Sequence, residues 1–261
     1  MPVNADAPVR DTSAERSDDA LPINEVFHSL QGEGKLAGVP STFIRTSGCN
    51  LRCWFCDSYH TSWEPTHGWF DIDDLVAQVT DHDGDHVVVT GGEPMIHDGV
   101  ETLLRDLSDR GYHTTVETNG TIFRDAPIDL ASISPKLTSS TPTENRPPAG
   151  GDANIGAWDE RHERDRLDYE TLASLVETYD FQLKFVVTDR ADMEEIETVV
   201  GELQARSSAR IRNDDVLLMP EGMTRERLAE TRDLTAELAL EYGYRYTPRL
   251  HVDLWNDAPG T

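Results

Sequence analysis

Short apolar runs alternate along the chain with longer segments whose apolar residues recur at helical spacing. This order indicates a parallel sheet covered by helices. We therefore predict an α/β fold, followed by a compact aromatic stretch at 244–255. The predicted strands are 22–28, 41–48, 86–92, 113–120, 130–136, 181–187 and 215–220, and the predicted helices are 71–80, 97–110, 168–179, 190–206 and 223–242.

The same pattern separates one domain from three less regular segments. Residues 1–20 are polar and acidic, which predicts a disordered acidic tail. Residues 139–166 are rich in proline, glycine and charge, which predicts an inserted surface loop. We expect a single domain over 21–255 and a flexible tail over 256–261.

The charge balance narrows the classes of function. The 261 residues include 49 Asp and Glu against 23 Lys and Arg, a formal net charge of -26. Binding to nucleic acid or to an anionic membrane needs clustered cations, so both are disfavoured. The sequence has no apolar run near the roughly 18–20 residues of a membrane span and no signal-peptide pattern at its start. We expect a soluble, cytoplasmic protein.

Lysine is scarce among the basic residues. Only Lys35, Lys136 and Lys184 are lysines, and the other basic residues are arginines. An excess of carboxylates gives a self-repelling surface that concentrated salt can screen. This composition predicts adaptation to a salt-rich cytoplasm, and it makes the three remaining lysines candidates for functional roles.

The three cysteines of the chain lie within eight residues. Cys49, Cys53 and Cys56 follow the second predicted strand, and an odd, clustered set is not a disulfide framework. Three thiolates at this spacing can hold three irons of a 4Fe–4S cube and leave the fourth iron open to a small molecule. The alternatives are a zinc site completed by a histidine such as His60, or three incidental thiols.

Three further motifs follow predicted strands: GGEP at 91–94, TNG at 118–120 and SPK at 134–136. Parallel strands carry their chemistry at their carboxyl ends, so these motifs should meet the cysteines at one edge of the sheet. The cysteine spacing and GGEP resemble those of radical S-adenosylmethionine enzymes. That resemblance implies a modified partial (β/α)6-type barrel, a 4Fe–4S cluster and S-adenosylmethionine, whose cleavage yields a 5′-deoxyadenosyl radical.

The flanking segments resemble one family more specifically. LQGEG at 30–34, FIRTSGCNLRCWFCDS at 43–58, ETNG at 117–120 and PRLHVDLW at 248–255 resemble the 7-carboxy-7-deazaguanine synthases. The resemblance implies 6-carboxy-5,6,7,8-tetrahydropterin as substrate, with hydrogen abstraction at C6, ring contraction and loss of ammonia. It also implies a magnesium ion, a flavodoxin- or ferredoxin-type reductant and a homodimer.

The resemblance assigns residues to three roles. The radical comes from the cofactor, so no side chain is assigned a catalytic role, and Ser58 stands at the position of the magnesium ligand, usually threonine. Two assigned residues keep an alternative: Arg45 could be a surface arginine and His251 a structural histidine. The substrate contacts implied are Leu30, Gln31, Gly32, Glu33, Arg45, Thr90 and His251, and the cofactor contacts are Phe55, Asp57, Gly92, Glu93, Ser134, Pro135 and Lys136.

Two other functions share part of this pattern. A glycyl-radical-enzyme activase would share the cysteine loop and GGEP, but such enzymes frequently carry additional ferredoxin-like cysteines, which this chain lacks. A non-catalytic Fe–S or zinc module would not explain three further motifs at one sheet edge. Lys184 receives no assigned role from the resemblance.

Overall fold

The computed structural model describes residues 19–148, 155–256 and 258. Their strands form one nine-stranded sheet in the order β3-β1-β2-β4-β5-β6-β7-β8-β9. Strands β2 and β4 to β9 are parallel, whereas β1 is antiparallel to both β2 and β3. The strands are β1 Leu21–Leu30, β2 Pro40–Thr46, β3 Gly68–Phe70, β4 His86–Gly91, β5 His113–Thr118, β6 Leu130–Ile133, β7 Phe181–Val187, β8 Val216–Pro220 and β9 Arg245–Tyr246.

Helices follow most of the parallel strands, and several begin or end at residues suited to caps. Asp168 and Thr224 accept backbone N–H bonds at the start of α5 and α7. Gly243 ends α7 in the left-handed region, at φ 71°. The helices are α1 Tyr59–Ser62, α2 Ile72–Thr80, α3 Gly99–Asp109, α4 Trp158–Asp165, α5 Tyr169–Thr178, α6 Asp192–Arg206, α7 Arg225–Tyr242 and α8 Leu250–Trp255.

The predicted α/β architecture is confirmed, and six strands, β2 and β4 to β8, form the partial barrel. All seven predicted strands and five predicted helices are present within a few residues of their expected bounds. The unpredicted features include the antiparallel direction of β1, the short strands β3 and β9, and the helices α1, α4 and α8. Antiparallel β1 places the segment after Leu30 beside Pro40, at the edge where β2 begins.

Strand β4 shows how the two faces of the sheet differ. Val87 and Val89 belong to the main core between the sheet and its helices. Val88 points to the opposite face, as the two-residue period of a strand requires, and packs with Phe27 and Phe43. These two rings stack with centroids 4.8 Å apart and line a cavity on that face.

Residues 139–166 differ from the predicted surface loop. Their described part includes α4, and His162 on that helix is fully buried. The periodicity of apolar residues did not predict this helix, because its charged and polar residues form no apolar stripe. The predicted tail at 1–20 lies outside the described residues except for 19 and 20, and the tail at 256–261 lies outside except for 256 and 258. No helix in the described part could cross a membrane.

Candidate active site

A cavity of about 650 Å³ lies inside the partial barrel. The loops that follow β2, β4, β5, β6 and β8 contribute to its wall, so the predicted convergence of motifs is present. Glu93 and Pro135 do not line it. The lining includes the other predicted residues, namely Leu30, Gln31, Gly32, Glu33, Arg45, Cys49, Cys53, Phe55, Cys56, Asp57, Ser58, Thr90, Gly92, Ser134, Lys136 and His251.

The three cysteines line one side of this cavity as free thiols. Burial raises the pKa of all three thiols, to about 12 for Cys56. Thiols in such surroundings become thiolates when metal cations compensate their charge. The site therefore suits a metal-bound state of the three sulfurs.

The kind of metal centre can be tested on the geometry. Among residues 19–148, 155–256 and 258, no three His, Cys, Asp or Glu side chains are grouped to hold a single metal ion. A zinc site made by the cysteines and His60 would be such a group. In a 4Fe–4S cluster each thiolate binds a different iron, so the three cysteines of this loop suit the cluster that their spacing predicts.

The glycines of GGEP allow two backbone segments to pack closely. A Cβ on Gly91 would lie 2.1 Å from the Thr46 oxygen, and one on Gly92 would lie 2.1 Å from the Gly48 oxygen. Glu93 N–H donates to the same Gly48 oxygen at 2.9 Å. These contacts bring the GGEP motif close to the chain that leads into the cysteine loop.

Glu93, a predicted cofactor contact, is not among the residues that line the cavity. Its side chain is fully buried and accepts hydrogen bonds from Met95 N–H at 3.0 Å, Thr118 Oγ1 at 2.8 Å and Asn119 N–H at 2.6 Å. Burial raises its pKa, which these bonds oppose. The carboxylate joins the loops after β4 and β5 instead of facing the cavity.

The segment after β1 crosses the open side of the barrel. Gly34 N–H donates to Thr247 Oγ1 at 2.7 Å, and Lys35 N–H donates to Gln182 Oε1 at 2.7 Å. The Lys35 ammonium bonds Asp215 at 2.7 Å. These contacts hold Gln31 and Glu33 within the cavity wall, although β1 ends at the opposite edge of the sheet.

Buried charges form a further part of the cavity wall. Glu33 contacts the ammonium of Lys184, and its other oxygen accepts from Arg249 Nε at 3.1 Å. Burial alone would raise the Glu33 pKa, but the two cations lower it to about 2. Burial likewise opposes charge on Lys184, yet Glu33 and Glu117 raise its pKa. Both partners are therefore ionised at neutral pH.

Glu117 joins three other residues of the wall. Its Oε1 accepts from Gln31 Nε2 at 3.2 Å and lies 3.7 Å from Lys184 Nζ, and its Oε2 accepts from Thr90 Oγ1 at 2.8 Å. Glu117, Lys184 and Arg249 were not predicted as site residues. The scarcity of lysine had made Lys184 a candidate for a functional role, but it gave no site assignment.

Arg45 and His251 occupy the cavity wall with different partners. Arg45 bonds Glu25 at 2.7 Å and the Ser58 hydroxyl at 2.8 Å. A Cβ on Gly32 would lie 1.9 Å from His251 Nδ1, so the glycine is needed for the imidazole to sit there. Neither residue is displaced to the outer surface.

Ser58 donates its hydroxyl proton to Asp57 Oδ1 at 3.1 Å, and the other Asp57 oxygen contacts Arg249. Also in the cavity wall, Lys136 Nζ donates to Ser134 Oγ at 2.8 Å. The cavity thus combines three thiols, one carboxylate-flanked hydroxyl and cations on two of its walls.

Comparison with known proteins agrees with this geometry. The family model described as Radical SAM superfamily matches residues 43–137, the part that carries the cysteine loop, GGEP, TNG and SPK. The fold and cavity therefore define a radical S-adenosylmethionine enzyme.

Relatives over the whole chain are more specific. The 7-carboxy-7-deazaguanine synthase of Halobacterium salinarum is 62% identical over 93% of this chain and 93% of its own. That of Rhodopirellula baltica is 40% identical over 95% and 91%. The crystal structure of QueE from Escherichia coli has a TM-score of 0.61 and 25% identity, covering 89% of this chain and 95% of that one. The chain belongs to the 7-carboxy-7-deazaguanine synthase family.

Proposed function

We propose that this protein converts 6-carboxy-5,6,7,8-tetrahydropterin to 7-carboxy-7-deazaguanine in this cavity by radical S-adenosylmethionine chemistry. The reaction belongs to deazapurine biosynthesis of the queuosine or archaeosine type. One observation carries the proposal: the three thiols line the same cavity as the paired carboxylates and cations. Cys49, Cys53 and Cys56 would hold the cluster. When bound, the cluster and S-adenosylmethionine supply the radical that abstracts hydrogen from the substrate.

The protein's own residues bind and orient the substrate and the cofactor. A pterin presents an amide and amino edge, which matches the acceptors of Glu33 and Glu117 and the amide of Gln31. Lys184 pairs with Glu33, which it helps keep ionised at neutral pH, and it lies 3.7 Å from Glu117. Ser134 and Lys136 stand beside the cysteine side, where S-adenosylmethionine is expected.

The proposal is tested by anaerobic incubation of the reconstituted protein with carboxytetrahydropterin, S-adenosylmethionine, Mg²⁺ and a reductant. Mass detection of the deazaguanine product is the expected result. Cleavage of S-adenosylmethionine without that product would indicate another radical enzyme, such as a glycyl-radical-enzyme activase. Absence of both iron and cleavage would favour a non-catalytic module.

Arg45→Ala should weaken substrate binding more than cofactor binding. Arg45 lines the cavity beside Ser58, and loss of a charge-assisted contact to the substrate carboxylate costs about 1.5–3 kcal/mol, or roughly ten- to a hundredfold in affinity. Separate titrations with substrate and S-adenosylmethionine measure this. Arg190→Ala, which removes an exposed ion pair with Glu241, is the control. A change in cofactor affinity alone would refute our placement of the pterin carboxylate.

Magnesium is proposed at Ser58. A hydroxyl oxygen is a hard ligand suited to Mg²⁺, and the Asp57 carboxylate beside it adds negative charge. One hydroxyl with one neighbouring carboxylate makes a weak site, so the ion would need the substrate carboxylate as a further ligand. A flavodoxin- or ferredoxin-type reductant, a homodimer and a cytoplasmic location remain predictions.

Thermal stability should rise between dilute buffer and molar KCl. The net charge of -26 repels itself in the compact state, and at about 1 M salt the Debye length falls to roughly 3 Å, which screens that repulsion. The relative from Halobacterium salinarum supports this interpretation. A melting series on the cluster-loaded protein under anaerobic conditions measures the effect. A melting temperature that stays level or falls with KCl would contradict salt adaptation but not the enzymatic proposal.

A further inference from the structure

Helix α1 follows the last cysteine and is fixed against the cysteine loop. Gly48 N–H, directly before Cys49, donates to the Thr61 carbonyl at 2.8 Å. The indole N–H of Trp63, the residue that ends α1, donates to the Cys53 carbonyl at 2.9 Å. These two bonds determine where the side chains of α1 lie relative to the cysteine sulfurs.

One side chain of α1 contacts a cysteine sulfur directly. Ser62 is buried and lines the cavity, and its Oγ donates to Cys56 Sγ across 3.1 Å. A second acceptor, the Ser58 carbonyl, lies 3.4 Å from the same hydroxyl. The choice between these two acceptors decides whether the Ser62 proton interacts with the sulfur.

The Ser58 carbonyl is already occupied by two other donors. It accepts the Thr61 backbone N–H at 2.9 Å and the Thr61 hydroxyl at 2.8 Å, which uses both lone pairs of a carbonyl oxygen. The 3.4 Å separation from Ser62 is also longer than the roughly 2.5–3.0 Å of an O–H···O hydrogen bond. The Ser62 proton is therefore directed to Cys56 Sγ.

Metal binding would strengthen this bond. A cysteine sulfur that binds iron is a thiolate, which carries no proton and can only accept. Hydrogen bonds to a charged acceptor are about twice as strong as those between neutral groups. The hydroxyl of Ser62 thus has one defined role toward a loaded site, that of a donor to a ligand sulfur.

We infer that Ser62 sets the reduction potential of the iron–sulfur cluster by donating a hydrogen bond to Cys56 Sγ. The inference rests on the proposed cluster at the three cysteines, and Ser62 acts through Cys56 as a positioning residue. Reduction adds one electron to the cluster, while the hydroxyl keeps its proton. Hydrogen bonds to ligand sulfurs stabilise the added negative charge and raise the potential, so Ser62 should make the cluster easier to reduce.

The test is a redox titration of the anaerobically reconstituted full chain, with dithionite as reductant and iron content measured on the same samples. Ser62→Ala should retain its iron, because Ser62 is not a ligand. At a fixed potential its ratio of reduced to oxidised cluster should fall about three- to tenfold. A tenfold fall equals a shift of about 59 mV toward more negative potential. Ser62→Thr keeps the hydroxyl and should restore the wild-type potential.

Ser174→Ala is the matched control, because it removes a helical serine hydroxyl that donates to a backbone carbonyl, that of Glu170. Its potential should equal that of the wild type. An unchanged potential in Ser62→Ala would overturn the inference. A shift in Ser62→Ala that Ser62→Thr shares would also overturn it, because the side chain would then act by packing.

Two further outcomes have defined meanings. If Ser62→Ala takes up no iron, Ser62→Gly, which also lacks the hydroxyl, decides by the same measurement. A wild-type chain that takes up no iron would instead refute the proposed function, and with it the cluster on which the inference rests.

Discussion

Cys53→Ala should lose the cluster and all turnover. Cys49, Cys53 and Cys56 are the only cysteines of the chain, so no spare thiol can replace the missing ligand. Iron per chain should fall from about four in the reconstituted wild type toward zero, since a cluster site of this type needs each thiolate. Iron and sulfide analysis with the ultraviolet–visible spectrum measures the loss, and product formation should fall below detection.

The wild-type and Cys53→Ala apoproteins should have the same fold. Cys53 is a small, buried side chain, and its replacement by alanine removes only one sulfur atom. Circular dichroism of the wild-type and variant apoproteins is therefore the control for folding. Normal iron content and turnover in a folded Cys53→Ala protein would refute the radical assignment.

Lys184→Met should destabilise the protein and weaken substrate binding. The lysine side chain is 6% exposed, and it pairs with Glu33 and lies 3.7 Å from Glu117. Removing one partner of a buried ion pair leaves uncompensated charge and costs about 3–5 kcal/mol. Methionine preserves most of the volume, so the loss would reflect charge. Denaturant unfolding and substrate titration measure the two effects. Arg190→Met, at an exposed and solvent-screened pair, is the control and should change neither of them measurably.

The cost of Lys184→Met should depend on pH in a defined direction. Although burial would raise it, the pKa of Glu33 is lowered to about 2 by Lys184 and Arg249, below the ordinary 4.5. A carboxylate of this kind stabilises the folded state above about pH 4.5, and that contribution is lost as the pH falls toward 2. The difference in unfolding free energy between wild type and variant should therefore be larger at pH 7 than at about pH 3.5. An equal difference at both pH values would refute the paired state of Glu33.

The sheet was largely predictable from sequence because its strands are buried on both faces. In β4, the five residues from His86 to Thr90 are all buried, and a continuous apolar run is the pattern of such a strand. The antiparallel direction of β1 was predictable from the length of the connection between β1 and β2, but not from the pattern of apolar runs. Only nine residues separate Leu30 from Pro40, whereas a parallel crossover needs a dozen or more. Strand β3 has three residues, too few for any periodicity.

The candidate site was predictable where its residues form short motifs at strand ends. The charged wall was not, because its partners are distant in sequence: Lys184 and Glu33 are 151 residues apart, and Arg249 and Glu33 are 216 apart. Ion pairs between residues so far apart in the chain leave no local pattern in the sequence. Glu93 shows the converse, since its motif was recognised but its burial, which turns the carboxylate inward, depends on how the loops after β4 and β5 pack.

The hydrogen bonds that join residues 31–35 to residues 247–251 affect the order in which the chain folds. Its bonds, such as Gly34 N–H to Thr247 Oγ1 and Leu250 N–H to the Gly32 carbonyl, close a loop that spans most of the chain. Contacts of such long range form late, because their closure entropy is compensated only when the rest of the sheet is in place. During translation the six strands of the partial barrel can assemble first. The charged wall of the cavity is completed only when the segment that contains Arg249 has left the ribosome.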